Sequence, residues 1–242
     1  MKSNGGELYS KDGTRLYCYP AGIKAEKYVV PWEVTWIGNS VFAYNKYVVS
    51  VELPVTVNYL AGADFAYCKK LEKVYLPENL TQIGAGMFMG CSNLKSIEIP
   101  TGVTHIGEQA FLDCSSLKMI DLPESVHYIG SFAFFGCMLD TLVIRGQLDS
   151  QSVQMYLFDG LMESAVVFTL PMQIESFKNL FAGIVQSLED YFKDFQNTDN
   201  IKFPVRPNHG IASTTYSLEG RRLTQQPRKG VYIRDGRKVV VK

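Results

Sequence analysis

Four cysteines recur at one spacing, and they are the residues in this sequence that most invite a chemical role. Cys68, Cys91, Cys114 and Cys137 are each 23 residues apart, and Cys18 is the fifth. Neighbouring strands lie about 4.8 Å apart, a Cα separation that a disulfide allows. Equivalent residues of stacked units point in parallel, however, whereas a disulfide requires converging Cβ vectors. The spacing also lacks the close cysteine pairs of zinc sites. We therefore expect free thiols buried in a core.

The other residues with catalytic potential form no recognisable set. His105 directly precedes an Ile-Gly pair, whereas His127 lies one position earlier in its unit, so the two are not expected to stack as a ligand pair. No nucleophile is paired with a histidine base, and nothing orders Asp159, Glu163 and Glu175 as a hydrolase site. The sequence therefore predicts a protein that is not an enzyme, with no catalytic residues, no metal site and no cofactor.

The 23-residue spacing extends beyond the cysteines. It is shared by the phenylalanines at 42, 65, 88, 111 and 134 and by the prolines at 54, 77, 100 and 123. In the clearest unit, residues 96–99 alternate polar and apolar side chains, which is typical of a half-buried strand that ends at Pro100. Residues 103–106 alternate again and predict a second short strand. A unit this short cannot bury its own apolar side chains, so copies are expected to stack as a right-handed coil with a parallel sheet.

One unit shows the full pattern, which runs Ile106-Gly107-Glu-Gln-Ala110-Phe111-Leu-Asp-Cys114-Ser-Ser-Leu117-Lys-Met-Ile120-Asp-Leu122-Pro123. This pattern resembles the BspA-type leucine-rich repeat over about residues 28–144. The resemblance implies a leucine-rich-repeat solenoid, and proteins of this type are regarded as surface adhesins or antigens. The first copy departs from the pattern with Val41, Asn45 and Val48. The last copy lacks one residue after Cys137 and has Arg145 in place of proline, as is usual at the ends of an array.

The sequence before the repeats predicts a β-hairpin. Two alternating segments, around Leu8-Tyr9 and Leu16-Tyr17, flank Asp12-Gly13, a pair that suits a type I′ turn. We expect residues 1–27 to form a cap that covers the N-terminal edge of the solenoid, which would otherwise expose unpaired backbone.

After the last regular copy, the segment 166–171 again has a strand followed by proline, which indicates one more degenerate repeat and a solenoid over residues 28–171. Apolar residues at helical spacing over 174–181 and 188–195 predict two C-terminal helices, within a cap and linker over 172–207. Residues 208–242 are expected to end in a hairpin around Asp235-Gly236.

The terminal segment also resembles the C-terminal tails of exported Bacteroidetes proteins, through its Leu218-Glu-Gly220-Arg221-Arg222 run and its final Lys-Val-Val-Val-Lys242. That resemblance implies a sorting signal for export and surface attachment. A small hairpin packed on the helices is the alternative, and the two are compatible. The tail is basic, but a solvated or export-directed hairpin is favoured over nucleic-acid binding.

Composition narrows the function classes. Lys+Arg and Asp+Glu both number 24, so the chain has no global attraction for nucleic acid or anionic membranes. Apolar runs are far shorter than the roughly 20 residues of a membrane helix. The N-terminus lacks the apolar core of a secretory signal, so the chain is either cytoplasmic or a mature form. With the tail, we expect an extracellular or outer-surface location.

The candidate binding residues lie at the outward positions of the first strand of each unit. We name Glu52, Lys73, Tyr75, Ser96, Glu98, Met119, Asp121 and Thr141. Glu98 and Asp121 are expected one strand apart, where like charges repel. Solvent screening is the favoured relief, and a bound cation or a basic partner is the alternative. Tyr44, Tyr47, Tyr59, Tyr67 and Tyr128 occupy variable positions, where exposed aromatics could bind sugar or protein.

These observations predict a non-enzymatic surface or secreted module that recognises a protein or glycan ligand, host-derived ligands included, through its repeat surface. A structural or scaffold protein of the cell envelope, without a specific ligand, is the alternative.

Overall fold

Two lines of parallel strands follow the 23-residue period along the chain. The computed structural model describes residues 2–148 and the strands 161–169, 192–194, 215–216, 222–223, 230–234 and 237–241, with side chains over 5–148. Strands of consecutive units pair in parallel within each line, so every unit forms one coil. The predicted solenoid of stacked parallel coils is therefore confirmed.

The strands are, in chain order, β1 (Lys2–Asn4), β2 (Glu7–Tyr9), β3 (Arg15–Cys18), β4 (Lys27–Val29), β5 (Trp36–Ile37), β6 (Ser50–Glu52), β7 (Tyr59–Leu60), β8 (Lys73–Tyr75), β9 (Gln82–Ile83), β10 (His105–Ile106), β11 (Met119–Leu122), β12 (Tyr128–Ile129), β13 (Leu139–Ile144), β14 (Leu161–Thr169), β15 (Phe192–Asp194), β16 (Thr215–Tyr216), β17 (Arg222–Leu223), β18 (Gly230–Arg234) and β19 (Arg237–Val241). The first line runs β4-β6-β8 and resumes as β11-β13-β14-β15. Between them, the strand predicted over residues 96–99 is reduced to a single bridge between Lys73 and Ser96. The second line contains β3-β5-β7 and β9-β10-β12.

In every coil a turn leads from the strand of the second line to the strand of the first line. Hydrogen bonds join these turns from one coil to the next. The amide of Phe65 donates to the Met87 carbonyl at 2.9 Å, and that of Phe88 donates to Ala110 at 2.8 Å. Two equivalent positions in every turn have positive φ, at 40, 63, 86, 109 and 132 and at 44, 67, 90, 113 and 136. Most of them are not glycine, although this conformation is uncommon for other residues. The bonds to the next coil hold the turns in this conformation. We call these joined turns the turn ladder.

The core is a set of columns, each built from one position of the repeat. The phenylalanine rings from Phe42 to Phe134 stack face to face, with centroids 5.0–5.5 Å apart and interplanar angles of 3–14°. All five are fully buried. Tyr19 continues this column beyond Phe42, at 5.2 Å and a tilt of 42°. Because each ring contacts the ring before and after it, coils are coupled mainly to their neighbours.

The Ile-Gly pair is explained by close approach of consecutive coils. A Cβ at Gly107 would lie 2.5 Å from the backbone nitrogen of Ala85, and one at Gly130 would lie 2.5 Å from that of Glu108. No side chain fits at such distances, so glycine allows the coils to stack at these two positions.

At the N-terminal end, β2 and β3 form the predicted antiparallel hairpin, and β3 pairs in parallel with β5. The turn differs from the type I′ expectation. The Gly13 amide donates to the Ser10 carbonyl at 3.0 Å, and Gly13 has positive φ whereas Asp12 does not. The connection is longer than two residues because the Asp12 carboxylate accepts from the Ser10 hydroxyl and from the amide and hydroxyl of Thr14.

At the C-terminal end, the structure corrects the prediction of a helix over 188–195. Residues 192–194 form β15, which pairs in parallel with β14. Strand pairing on the exposed edge of β14 prevails over the helical spacing of the apolar residues. The helix predicted over 174–181 lies outside the described residues. Strand β18 pairs antiparallel with β19 across two intervening residues, in a four-stranded sheet ordered β17-β16-β18-β19.

Candidate functional site

The outward positions of the first line of strands form a surface that we call the strand face. Ser96 and Glu98 are exposed, and Lys73, Tyr75, Met119, Asp121 and Thr141 are half-buried. The register places Lys73 beside Ser96, and Met119 beside Thr141. The Lys73 ammonium lies 4.5 Å from the centre of the Tyr75 ring. The face therefore carries both charge signs, an aromatic ring and a methionine.

Glu52 departs from the outward position predicted for it. Its side chain is only 6% exposed, and Lys27 approaches one carboxylate oxygen at 3.9 Å. The other oxygen, Oε1, is buried without a hydrogen-bond partner. Glu52 lies next to Val29 and Tyr75 in the register of the sheet. It is therefore a buried group at the margin of the strand face, and we remove it from the candidate contact residues.

Asp121 has a cationic partner within the chain. The Arg145 guanidinium donates from Nε to Asp121 Oδ1 at 2.7 Å and from Nη2 to Oδ2 at 2.9 Å. The carboxylate raises the pKa of Arg145 further. Solvent screening is the expected relief of the repulsion between Glu98 and Asp121. In the structure, the bidentate ion pair with Arg145 also compensates the Asp121 charge. Arg145 stands where earlier copies have proline, so the irregular residue of the last copy neutralises the strand face locally.

The two histidines lie closer together than their one-residue offset in the repeat suggests. Their rings are in contact, with centroids 4.8 Å apart at 74°, and His105 also lies 5.5 Å from the Tyr128 ring. The one-residue offset does not separate the rings, because imidazole extends far enough to span it. His105 Nδ1 lies 2.8 Å from the Thr104 hydroxyl, and His127 Nδ1 lies 3.1 Å from the Ser125 carbonyl. Among the described residues, no three His, Cys, Asp or Glu side chains are grouped to hold a metal ion.

A cleft of about 380 Å³ opens on the turn ladder, and no residue of the strand face lines it. Its lining comes from three consecutive coils and comprises Tyr67, Lys69, Gly90, Ser92, Asp113 and Ser115. The Tyr67 ring stacks on Tyr44 at 5.1 Å and 12°, and it covers Gly90, where a Cβ would lie 2.5 Å from Tyr67 Cδ1. Tyr44 and Tyr67 are among the tyrosines expected to be exposed, but the sequence does not predict the cleft. The signal that could have found it is Gly90, the small residue in the row of positions 44, 67, 90 and 113.

Comparison with known families decides the classification. The model of the BspA type leucine rich repeat region matches residues 34–165 in six copies, which is more than half of the chain. The chain belongs to the BspA-type leucine-rich-repeat family. Solenoids of this class are typically non-catalytic binding or scaffold modules. No curated protein sequence matches the chain.

Solved structures of leucine-rich-repeat proteins share the fold of this BspA-type chain. A leucine rich cell surface protein from Faecalibacterium prausnitzii is 31% identical with a TM-score of 0.54, covering 56% of this chain and 36% of its own. The T. pallidum leucine rich repeat protein is 27% identical with a TM-score of 0.57, covering 66% and 77%. The pneumococcal vaccine antigen PcpA is 22% identical with a TM-score of 0.59, covering 78% and 46%, and shows the fold alone. This chain spans little more than a third of the first protein.

The BspA-type cysteines are confirmed as free thiols. Cys68, Cys91, Cys114 and Cys137 are fully buried, and Cys18 is exposed. Each buried thiol donates to the carbonyl of a phenylalanine in the preceding coil, at 2.9–3.1 Å. Burial raises the pKa of Cys68 to about 12 and the pKa values of Cys91 and Cys114 well above the usual range. These thiols therefore serve as small hydrogen-bonded core groups.

Thiol titration should separate Cys18 from the other four. With Ellman's reagent at pH 8, we expect one of the five thiols to react in the native protein, because only the Cys18 thiol is exposed and thiolate is the reactive form. All five should react in guanidinium, and Cys18→Ser should leave no fast-reacting thiol. Rapid reaction of two or more thiols in the native wild-type protein would contradict this.

Within the described part of this BspA-type chain, no helix is long and apolar enough to cross a membrane.

Proposed function

We propose that this chain is a surface-displayed binding module that recognises a protein or glycan ligand through the strand face. The supporting observation is the contrast between the two sides of the first line of strands. Its inward side chains, such as Val51, Val74 and Ile120, are buried, whereas the outward side chains carry unlike chemistry from coil to coil. A repeat sheet with one conserved backbone and variable outward residues is a broad recognition surface.

Display outside the cell is part of the proposal. The Faecalibacterium prausnitzii relative with 31% identity is a cell surface protein. The C-terminal segment resembles Bacteroidetes sorting tails in residues 218–222 and in its last residues. We propose that this segment directs export and attachment, and that the module acts in adhesion.

The composition of the strand face favours a specific ligand over a passive spacer. Lys73 lies against the Tyr75 ring, and Asp121 is held by Arg145 in a bidentate pair. Both arrangements fix the direction in which polar atoms are presented, and fixed polar atoms give specificity to a binding surface. Tyr75 and Met119 supply the apolar contact area that such surfaces use.

The test combines a screen with a matched pair of blocking variants. Purified protein is screened against extracellular-matrix proteins and a glycan array, and affinities for each hit are measured by surface plasmon resonance. Ser96→Trp places a large side chain at an exposed position in the middle of the strand face, and it should weaken binding at least tenfold. Gln82→Trp places the same side chain at an exposed position of the second line, and it should leave affinity unchanged.

Two outcomes would contradict the proposal. One is a screen without any hit, which would favour the scaffold alternative. The other is a hit whose affinity falls no more with Ser96→Trp than with Gln82→Trp, since binding would then not depend on the strand face. Circular dichroism melts of both variants establish that each keeps the solenoid fold.

A further inference from the structure

Exposed lysines are concentrated on one corner of the solenoid, where the chain leaves the turn and enters the first line of strands. Residues 5–148 contain eleven Lys and Arg against fourteen Asp and Glu, so this part of the chain has a net negative charge. Five of the eleven basic side chains nevertheless lie between the turn and the first-line strand of four consecutive coils. We call these five exposed residues the lysine band: Lys46, Lys69, Lys70, Lys95 and Lys118.

The segments that carry the lysine band stack directly on one another. The amide of Glu72 donates to the Val49 carbonyl at 2.8 Å, and the amide of Lys95 donates to the Glu72 carbonyl at 3.2 Å. Coils in such a stack are about 4.8 Å apart, so the band extends over about 15 Å along the solenoid axis.

Little of the positive charge of the band is compensated within residues 5–148. There the only carboxylate in an ion pair with the band is that of Glu72, which lies 2.8 Å from the Lys95 ammonium. Both side chains of this pair are substantially exposed, so solvent screens it. No ion pair in these residues joins Lys46, Lys69 or Lys70 to an acidic side chain. The band is therefore a local positive charge on a part of the chain that is negative as a whole.

The width of the band decides which kind of polyanion it fits. Exposed carboxylates flank it, with Asp113 on the turn ladder and Glu98 on the strand face. A flat anionic membrane or a nucleic-acid duplex extends beyond a band one or two lysines wide, and would meet these carboxylates as well. A single linear polyanion can instead follow the lysines from coil to coil. The band also contains no arginine, whose planar guanidinium is the group best suited to phosphates of nucleic acids.

We propose that the lysine band binds a linear sulfated glycan that runs along the solenoid axis across four coils. Dense sulfation suits the band, because lysines of successive coils are only about 5 Å apart. Binding is electrostatic, since each ammonium displaces a counterion condensed on the polymer. The band includes no residue of the strand face, so this site goes beyond the proposed function and does not rest on it.

Isothermal titration calorimetry of the full chain with a heparin octasaccharide tests the proposal. We expect a dissociation constant on the order of 10 μM at 50 mM NaCl. Affinity should fall on the order of 50-fold at 200 mM NaCl, because about four lysines displace counterions. Maltooctaose, a neutral glycan of the same length, should give no binding heat.

A pair of double variants locates the binding site. Lys69→Gln with Lys70→Gln removes two charges from the band, and should weaken binding at least about tenfold and lower the salt slope by about 1.4. Lys11→Gln with Arg15→Gln removes two exposed charges from the N-terminal hairpin, and should leave affinity within about twofold of wild type. Circular dichroism melts establish that both variants keep the fold.

Two further variants test the role of charge. Lys69→Arg with Lys70→Arg keeps both charges, so affinity should stay within about threefold of wild type. Glu72→Gln removes the carboxylate that pairs with Lys95, and should tighten binding about twofold.

Three results would overturn the proposal. The first is a dissociation constant for the octasaccharide above about 1 mM at 50 mM NaCl. The second is an equal loss of affinity in the two double glutamine variants. The third is tighter binding of oligothymidine of the same length, or of vesicles with equal parts of phosphatidylcholine and phosphatidylglycerol, which would assign the band to nucleic acid or to membranes. Neutral ligands of the strand face should bind the Lys69→Gln, Lys70→Gln variant unchanged, so the two proposals fail separately.

Discussion

At pH 8.5, Asp64→Asn is expected to raise the melting temperature by about 10 °C, whereas at pH 4 it should change it little. Asp64 is fully buried at a position where later coils have Ala110 and Ala133. One carboxylate oxygen accepts from the Gly62 amide at 3.2 Å, and the other has no hydrogen-bond partner. Burial raises the pKa of this carboxyl to about 8, against the opposing effect of the hydrogen bond from the Gly62 amide.

The direction of the pH effect follows from proton binding. Below about pH 4 the Asp64 carboxyl is protonated in both the folded and unfolded chains, so the neutral group is tolerated in the core. Between about pH 4 and 8 only the folded chain holds the proton, so the free energy of unfolding falls by up to about 1.4 kcal/mol per pH unit. Over the whole window the loss is on the order of 5 kcal/mol. Above pH 8 the carboxyl is ionised in both states and the loss is complete.

Circular dichroism melts of wild type and variant from pH 4 to 9 measure this difference. Asp140→Asn removes an exposed carboxylate and serves as the control, with an expected change below about 2 °C at either pH. Parallel pH profiles for wild type and Asp64→Asn would show that Asp64 does not titrate as its burial requires.

Phe88→Ala is expected to cost about 3–5 kcal/mol of stability. Phe88 is the middle ring of the buried column and stacks on Phe65 at 5.4 Å and on Phe111 at 5.3 Å. Truncation therefore opens a cavity that faces both neighbouring coils. Phe135→Ala removes a ring that is 38% exposed, and it should cost less than about 1 kcal/mol. Urea denaturation followed by circular dichroism gives the two values.

Hydrogen exchange tests whether the loss is local. Because each coil is coupled mainly to its neighbours, Phe88→Ala should weaken protection most at the turn amides of Phe65 and Phe88 and less at that of Asn45. Uniform loss of protection along residues 5–148 would instead indicate that the coils unfold as a single unit.

The 23-residue period was sufficient to predict most of the fold. Phenylalanine, cysteine and proline at one spacing imply columns, and the structure has a stacked ring column and a column of buried thiols at those positions. The alternation before Pro77 and Pro123 likewise predicted β8 and β11. The sequence predicts such features because buried positions require apolar residue types, and the spacing of those types is read directly from the sequence.

Features that depend on backbone conformation or on the length of side chains could not be predicted from the sequence. The turn ladder uses positive φ at Tyr44 and Ala63, residues whose types give no sign of it. The contact between His105 and His127 requires the reach of two rings across an offset of one residue. The pairing of Arg145 with Asp121 joins residues 24 positions apart, a separation close to the period but not equal to it.

The strand face could be predicted from the sequence only in part. Alternation predicts which side of a strand is outward, and Ser96 and Glu98 are exposed there. It does not predict burial by neighbouring elements, and Glu52, with Lys27 from β4 beside it, is buried. At the other end, Val143 is also fully buried, although it shares the register of Asp121. Edges of an array differ from its middle because their neighbours are different.

The turn ladder has a consequence for how the gene can change. Alternate amides of each turn donate to the carbonyl 22 residues later, as Phe42 does to Asp64 and Phe111 to Ala133. Recombination that adds or removes the codons of one whole coil preserves these hydrogen bonds between turns. Recombination with an end point inside a turn breaks the hydrogen bonds to the coils on both sides. The missing residue after Cys137 lies just past the turn, where the strand register adjusts and Asp121 pairs with Val143. The fold can therefore accommodate a change in the number of coils, provided that each added or removed segment is one whole coil.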